Sequence, residues 1–177
     1  MPQLTYIARK GEDADFANVT ASGTLTVTGG VTGGAVNVTD ATVAVTALAH
    51  AGKTIVMSRA AGVTATLPAA TGTGNVYTFV IGTTATTNAN IIKVANATDV
   101  MDGSVNLQQD TDVDGTLKMW RADAGDDTMT FAGAATTGGI VGGYIQCTDY
   151  KAGFWSCQAF TQSGGGAEAT PFSATVA

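Results

Sequence analysis

Charged side chains are scarce in this sequence, and their scarcity limits the partners that it can bind. Lysine, arginine, aspartate and glutamate make up 12% of the 177 residues, whereas an ordinary soluble domain has roughly 25%. The eight basic residues are scattered, and the formal net charge is −6. Because affinity for a phosphate backbone comes mainly from lysine and arginine, we expect no nucleic-acid partner.

Residues with catalytic signatures are equally few. His50 is the single histidine, and no G-x-S-x-G sequence supplies a nucleophile for it to activate. We therefore interpret His50 as a loop or interface residue. The stretch "AGKT" resembles a phosphate-binding loop, but Ala47 stands where that loop needs glycine, and a β-type run follows instead of a helix. The sequence predicts neither an enzyme nor a bound cofactor.

Long apolar runs are also missing. No run approaches the roughly 20 residues that span a bilayer, and Met1 to Lys10 lacks a secretory signal pattern. We expect synthesis in a cytosol and no membrane partner.

The pattern that is present has a period of two. Short runs alternate apolar residues with threonine, glycine-rich steps separate them, and no segment has a convincing apolar stripe at helical spacing. About a dozen short strands of this kind predict an all-β sandwich, with a jelly roll as a leading candidate for the main body. Residues 53–59 and 63–67 are predicted to pair as neighbouring strands around Gly62, and 76–81 to form the next strand.

The chain divides into four predicted regions. Residues 1–17 mix apolar and charged residues without clean periodicity, which suits an arm that docks on another protein. Residues 18–47 are a low-complexity tract of threonine, valine and glycine. Residues 48–162 form the predicted body, and residues 163–177 a flexible tail.

The tract at 18–47 is the feature that most constrains function. From Asn18 to Gly52 it has one formal charge, Asp40, and no proline. An exposed strand edge with this composition would recruit other chains, so it must be buried, either inside the same sandwich or between copies. We favour burial between copies in an intertwined homo-oligomer. The predicted oligomer-interface residues are Leu25, Val27, Val36, Val38, Val43 and Val45.

One motif has the chemistry of a metal site. Asp110, Asp112, Asp114 and Gly115 spell D-x-D-x-D-G, the first half of an oxygen-rich calcium loop. Arg121 stands where that loop would place its bidentate glutamate. A divalent-cation site completed by another loop is the weaker interpretation, and an acidic turn between strands the stronger.

The two cysteines lie in "GGYIQCTDYKAGFWSCQAF". With a hairpin turn at 150–153, Cys147 and Cys157 both point inward, nearly opposite each other. A disulfide is geometrically possible, but cytosolic synthesis favours free buried thiols.

Several stretches of the body resemble a known family. The run from "AGKTIVMSRAAGVTATLPAATG" to "DVMDGSV", with "GGYIQCTDYKAGFWSCQAF" and "ATPFS", is similar to the small capsid decoration (cement) proteins of tailed bacteriophages. The similarity covers residues 48 to about 173. Its markers are Leu67, Pro68, Gly72, Gly74, Tyr77, Phe79, Trp155, Pro171 and Phe172.

The resemblance implies a structural protein without catalytic residues. Such a protein forms a homotrimer on the outer surface of the capsid, at or near three-fold positions between major capsid proteins. The N-terminal arm would make the contact with the shell. The predicted capsid-interface residues are Leu4, Tyr6, Ile7, Arg9 and Phe16.

The competing prediction is an adhesin, a module of a head or tail fibre that binds host-surface glycans. Its first candidate residue is Trp120, which alternation places on the Lys118 side of its strand, away from Leu117 and Met119. The alternative role for Trp120 is packing in the core or between subunits.

Overall fold

The computed structural model describes residues 34–109, 117–133, 135–164 and 168–176. The arm, the first part of the tract with Leu25 and Val27, and the three aspartates of the D-x-D-x-D-G motif lie outside them. The elements are β1 (Ala35–Val38), β2 (Thr42–Ala44), α1 (Ala47–His50), β3 (Thr54–Met57), β4 (Thr64–Thr66), β5 (Val76–Ile81), β6 (Asn90–Lys93), β7 (Val100–Gln109), β8 (Leu117–Arg121), β9 (Thr128–Phe131), β10 (Tyr144–Lys151), β11 (Phe154–Ser163) and β12 (Phe172–Ser173).

The strands form two sheets, which confirms the predicted all-β sandwich. The large sheet has seven strands in the order β1-β3-β5-β10-β11-β7-β8, and the small sheet has five in the order β12-β9-β6-β4-β2. Both sheets are mixed, because parallel pairs occur alongside antiparallel ones. A jelly roll is built from antiparallel strands, so the connectivity differs from that candidate.

The first six strands alternate between the two sheets. β1, β3 and β5 are parallel neighbours in the large sheet, whereas β2, β4 and β6 are parallel neighbours in the small one. The predicted pairing of 53–59 with 63–67 is therefore wrong, because β3 and β4 belong to opposite sheets. Residues 58–63 cross between the sheets, and Gly62 lies so close to the backbone carbonyl of Ala89 that a Cβ would collide with it.

The described part of the tract lies at one side of the sandwich. β1 and β2 are the outermost strands of their sheets. Val38 and Val45 are buried in the chain's own core, and Val36 and Val43 pack against that core half-buried. The side chains of Val38 and Val45 are thus covered within the chain, and an interface between copies along this tract stays a prediction.

The core is continuous between the sheets and has the aromatic pair Tyr77 and Trp155 near its centre, with ring centroids 5.7 Å apart. The β10–β11 hairpin has the predicted alternation, because Ile145, Cys147 and Cys157 all point inward with no exposed surface. The sandwich also extends beyond the predicted body. β1 and β2 precede residue 48, and β12, in the predicted tail, pairs with β9.

Three buried aspartates attach loops to the sandwich. Asp149 accepts hydrogen bonds from the backbone N–H groups of Thr71, Gly72 and Thr73, at 3.3, 2.7 and 3.0 Å, and from the Thr73 hydroxyl at 2.7 Å. Burial alone would raise the pKa of Asp149, but these hydrogen bonds lower it below the ordinary value. Asp99 accepts a hydrogen bond from the backbone N–H of Ala70. Asp127 accepts hydrogen bonds from the backbone N–H groups of residues 175 and 176.

Candidate functional site

The outer face of the large sheet carries a row of large side chains. Tyr144 on β10 lies beside Phe160 on β11, which lies beside Asn106 on β7 and then Met119 on β8. Because adjacent strands are about 4.8 Å apart, this row is roughly 14 Å long. Strand alternation explains it, since the inward neighbours Ile145 and Ala159 occupy the core positions.

Five large apolar side chains on this side remain open to solvent. The exposed fraction is 62% for Leu117, 70% for Met119, 59% for Val141, 39% for Tyr144 and 59% for Phe160. We call these five residues the apolar face. At roughly 200 Å² for a fully exposed large side chain, these fractions correspond to about 600 Å². A typical monomer has a largest apolar patch of roughly 300–600 Å², so this one is at the top of that range.

A hollow of about 300 Å³ lies within the apolar face. Leu117, Ile140, Val141 and Phe160 supply apolar walls. The amides of Asn106, Gln108 and Gln162 supply polar groups, and Gln162 Nε2 donates to Gln108 Oε1 at 3.1 Å. None of the described residues that line the hollow is charged, so it fits a neutral or apolar group rather than an ion.

The opposite end of the same sheet face is polar and charged. Tyr150 donates its phenolic hydrogen to Asp102 at 2.6 Å, and this hydrogen bond raises the pKa of Tyr150. The ammonium group of Lys151 lies 4.4 Å from the centroid of the Phe154 ring. Charged side chains therefore lie at this end, whereas the five residues of the apolar face are uncharged.

The inner side of β8 is held by the chain's C-terminal part. Lys118 Nζ lies 2.7 Å from Glu168 Oε2, and Ser163 donates its hydroxyl hydrogen to Glu168 Oε1 at 3.2 Å. The Lys118 hydrogen bond lowers the pKa of Glu168. Although β8 is an edge strand, this contact fixes the element that carries Leu117 and Met119.

The structure places Trp120 with Lys118, on the side predicted by alternation, opposite Leu117 and Met119. Trp120 is half-buried beside buried Val105, and its indole N–H has no hydrogen-bond partner among the described residues. The aromatic rings exposed on this sheet half are those of Phe160 and Tyr144. The exposed rings thus lie on the other side of β8 from Trp120, and a glycan site at Trp120 stays a prediction.

His50 is the last residue of α1 and is buried. Its Nδ1 accepts a hydrogen bond from the backbone N–H of Thr46 at 3.0 Å. The imidazole thus closes a single helical turn whose N-cap is Thr46. His50 is therefore a buried residue of a helical turn rather than of a loop, and its predicted place at an interface stays a prediction.

The cysteines are free thiols, with sulfur atoms 3.1 Å apart across the β10–β11 pair. Burial raises the pKa of Cys157 well above the ordinary thiol value, and the hydrogen bond to Cys147 raises it further. Within the described ranges, no group of three or more histidine, cysteine or carboxylate side chains is arranged to hold a metal ion. No helix in those ranges is long and apolar enough to cross a membrane.

No family model, curated protein or solved structure matches this chain.

Sequence reasoning missed the apolar face, although part of its signal was present. The alternation that turns Cys157 inward turns Phe160 outward, and the alternation that sets Trp120 inward leaves Leu117 and Met119 outside. No sequence signal brings Val141 to this face, because it lies on a loop whose position depends on the folded sheet.

Proposed function

We propose that the chain is a structural protein of a tailed-phage head. It binds the outside of the capsid as a trimer and stabilises contacts between neighbouring major capsid proteins. The observation that carries a structural role is the apolar face, because a folded sandwich with a large uncharged apolar surface is suited to protein contacts.

The residues of the family resemblance support the same proposal. Tyr77, Phe79 and Trp155 are buried in the core, and Gly72 lies in the loop held by Asp149. These four markers therefore contribute to the core of the sandwich and to one loop attached to it. A protein with the same markers is expected to have the same body, and the phage-head assignment rests on that resemblance.

Residues 1–17 supply the proposed contact with the shell. They lead, through residues 18–33, into β1 at the edge of the large sheet. Three arms on one trimer would bind with avidity roughly 10² to 10⁴ above the single-site affinity, because the second and third arms dock almost intramolecularly. Each arm then needs only modest apolar contacts for stable binding to the shell. The residues proposed to make them are Leu4, Tyr6, Ile7 and Phe16, with Arg9 beside them. A trimer that bridges subunits resists the outward pressure of packaged DNA.

The test is co-sedimentation of the purified chain with undecorated heads of the parent phage. We expect saturable binding by the full chain and at least a tenfold weaker binding by a variant that lacks residues 1–17, given the loss of avidity. Circular dichroism and thermal melting establish that the truncated body is folded. Absence of binding by the full chain contradicts the proposed function, whereas equal binding by both forms contradicts the role of the arm alone.

The second candidate is a fibre adhesin that binds neutral glycans. The observation that favours it is the hollow, where the exposed Phe160 ring lies beside the amides of Asn106, Gln108 and Gln162. Aromatic faces and amides are groups that contact sugars. Binding on a glycan array that is lost in Phe160→Ala and kept in Leu48→Ala would support this candidate, and an array without signal for the wild type would contradict it.

A further inference from the structure

We infer that the apolar face is the surface through which copies of this chain contact each other. The inference deepens the proposed function, on which the expectation of three copies rests, by assigning the self-contact to Leu117, Met119, Val141, Tyr144 and Phe160. It also replaces Val38 and Val45, which are covered within the chain.

The first argument is area. The apolar face exposes about 600 Å² by the fractions given above, and a stable interface needs roughly 800 Å² from each partner. The neighbouring amides of Gln108, Gln158 and Gln162, all exposed on the same sheet face, add a polar rim to this area. An apolar centre with such a rim has the anatomy of a protein interface.

The second argument is charge. The whole chain has a net charge of −6, so two copies repel each other wherever acidic surfaces meet. The apolar face and the described residues that line its hollow carry no charge. Copies that approach through these described residues bring none of their own like charges together, and the nearest charged residue of β8 on the same side is Arg121. Glutamine and asparagine amides both donate and accept, so an identical set on the second copy is a complementary partner.

The third argument is shape. Met119 and Tyr144 stand beside the hollow without lining it, whereas Leu117, Val141 and Phe160 form its walls. The same face therefore has side chains that project and a hollow of about 300 Å³ that can receive one. A surface with both is complementary to another copy of itself. The aliphatic walls of Leu117, Ile140 and Val141 favour a protein side chain over a glycan, which would need more hydroxyl partners.

The experiment is sedimentation equilibrium of the full chain, free of heads, over a wide concentration range. We expect the wild type at a multiple of its 17.7 kDa monomer mass, with three copies if the proposed function is correct. The test variants are Phe160→Thr and Met119→Thr, because threonine removes the large apolar side chain and still suits a β-strand. Each is expected to raise the dissociation constant at least tenfold, as the loss of a central anchor does.

The matched control is Leu48→Gln, because Leu48 is 91% exposed on α1 and lies outside the apolar face. It removes a comparable exposed leucine and is expected to leave the association unchanged. A monomeric wild type, or a Phe160→Thr, Met119→Thr double variant that associates like the wild type, would overturn the inference.

A second measurement does not depend on the folding of those variants. A photoreactive benzoylphenylalanine at position 141 is expected to cross-link two copies on irradiation, and the same group at position 48 is not. Cross-linking at 48 alone would overturn the inference. Both measurements use free protein, so a failure here is distinct from a failure to bind heads.

Discussion

Gly103 lies directly opposite Cys157 where β7 and β11 run parallel, and the two backbones approach so closely that no side chain fits between them. A Cβ at position 103 would collide with the carbonyl oxygen of Cys157, and the φ of Gly103 is 139°. The pair lies in the β7–β11 ladder, which joins the hairpin with the cysteines to β7, the strand that carries Asn106 and Gln108. The pairing of β7 with β11 in the large sheet therefore requires a glycine at position 103.

Gly103→Ala is expected to destabilise the chain by at least about 3 kcal/mol, because both backbone strain and the collision oppose it. Gly125→Ala is the matched control. Gly125 also has a positive φ, 93°, but a Cβ there would meet nothing within 4 Å. Strain alone is expected to cost about 1–2 kcal/mol. Urea denaturation measures the free energy of unfolding of both variants. Equal decreases in this free energy would contradict the close approach of Gly103 to Cys157.

Asp149→Asn is expected to lower the free energy of unfolding by about 2 kcal/mol, the scale of hydrogen bonds to a buried charged group. The carboxylate accepts hydrogen bonds from the backbone N–H groups of residues 71–73. In the variant, the NH₂ end of the amide would point its own hydrogens at some of these N–H groups and could not accept from them. Asp40→Asn, on an exposed turn, is the matched control and is expected to change little. Denaturation near pH 7 measures both.

The effect of Asp149 is expected to depend on pH. Its pKa is lowered in the folded chain from the ordinary value of 3.8, so its contribution is complete above that value and is lost as the pH falls through the folded-state pKa. The difference between wild type and Asp149→Asn is therefore expected to shrink as the pH falls below that value. A constant difference as the pH falls would show that the charge of Asp149 is not what holds the loop.

The thiols are expected to be unreactive in the folded chain. Burial and the raised pKa of Cys157 leave little thiolate, and neither sulfur is exposed. An aromatic disulfide reagent is expected to detect two thiols per chain in denaturant and almost none without it. Rapid reaction of the native chain would contradict the burial, and no reaction in denaturant would show a disulfide.

Sequence alternation predicted the faces of the strands well. The inward positions of Cys147, Trp155 and Cys157 followed from a period of two and a short turn, and the structure has the same register. Such local information suffices for a hairpin because the two strands are joined directly.

Alternation could not predict which strands are neighbours. β3 and β4 both alternate correctly, yet residues 58–63 carry the chain to the other sheet. A period of two assigns each side chain to a face but contains no information on the partner strand. The hollow was beyond prediction for the same reason, since Ile140, Phe160 and Leu117 meet there through sheet pairings distant in sequence.

The most direct test of the proposed role is the temperature at which undecorated heads release their packaged DNA, measured with and without saturating protein. The account predicts that the full chain raises this temperature, because bound trimers bridge neighbouring capsid subunits. An unchanged release temperature on heads shown to be saturated with the protein would contradict the stabilising role.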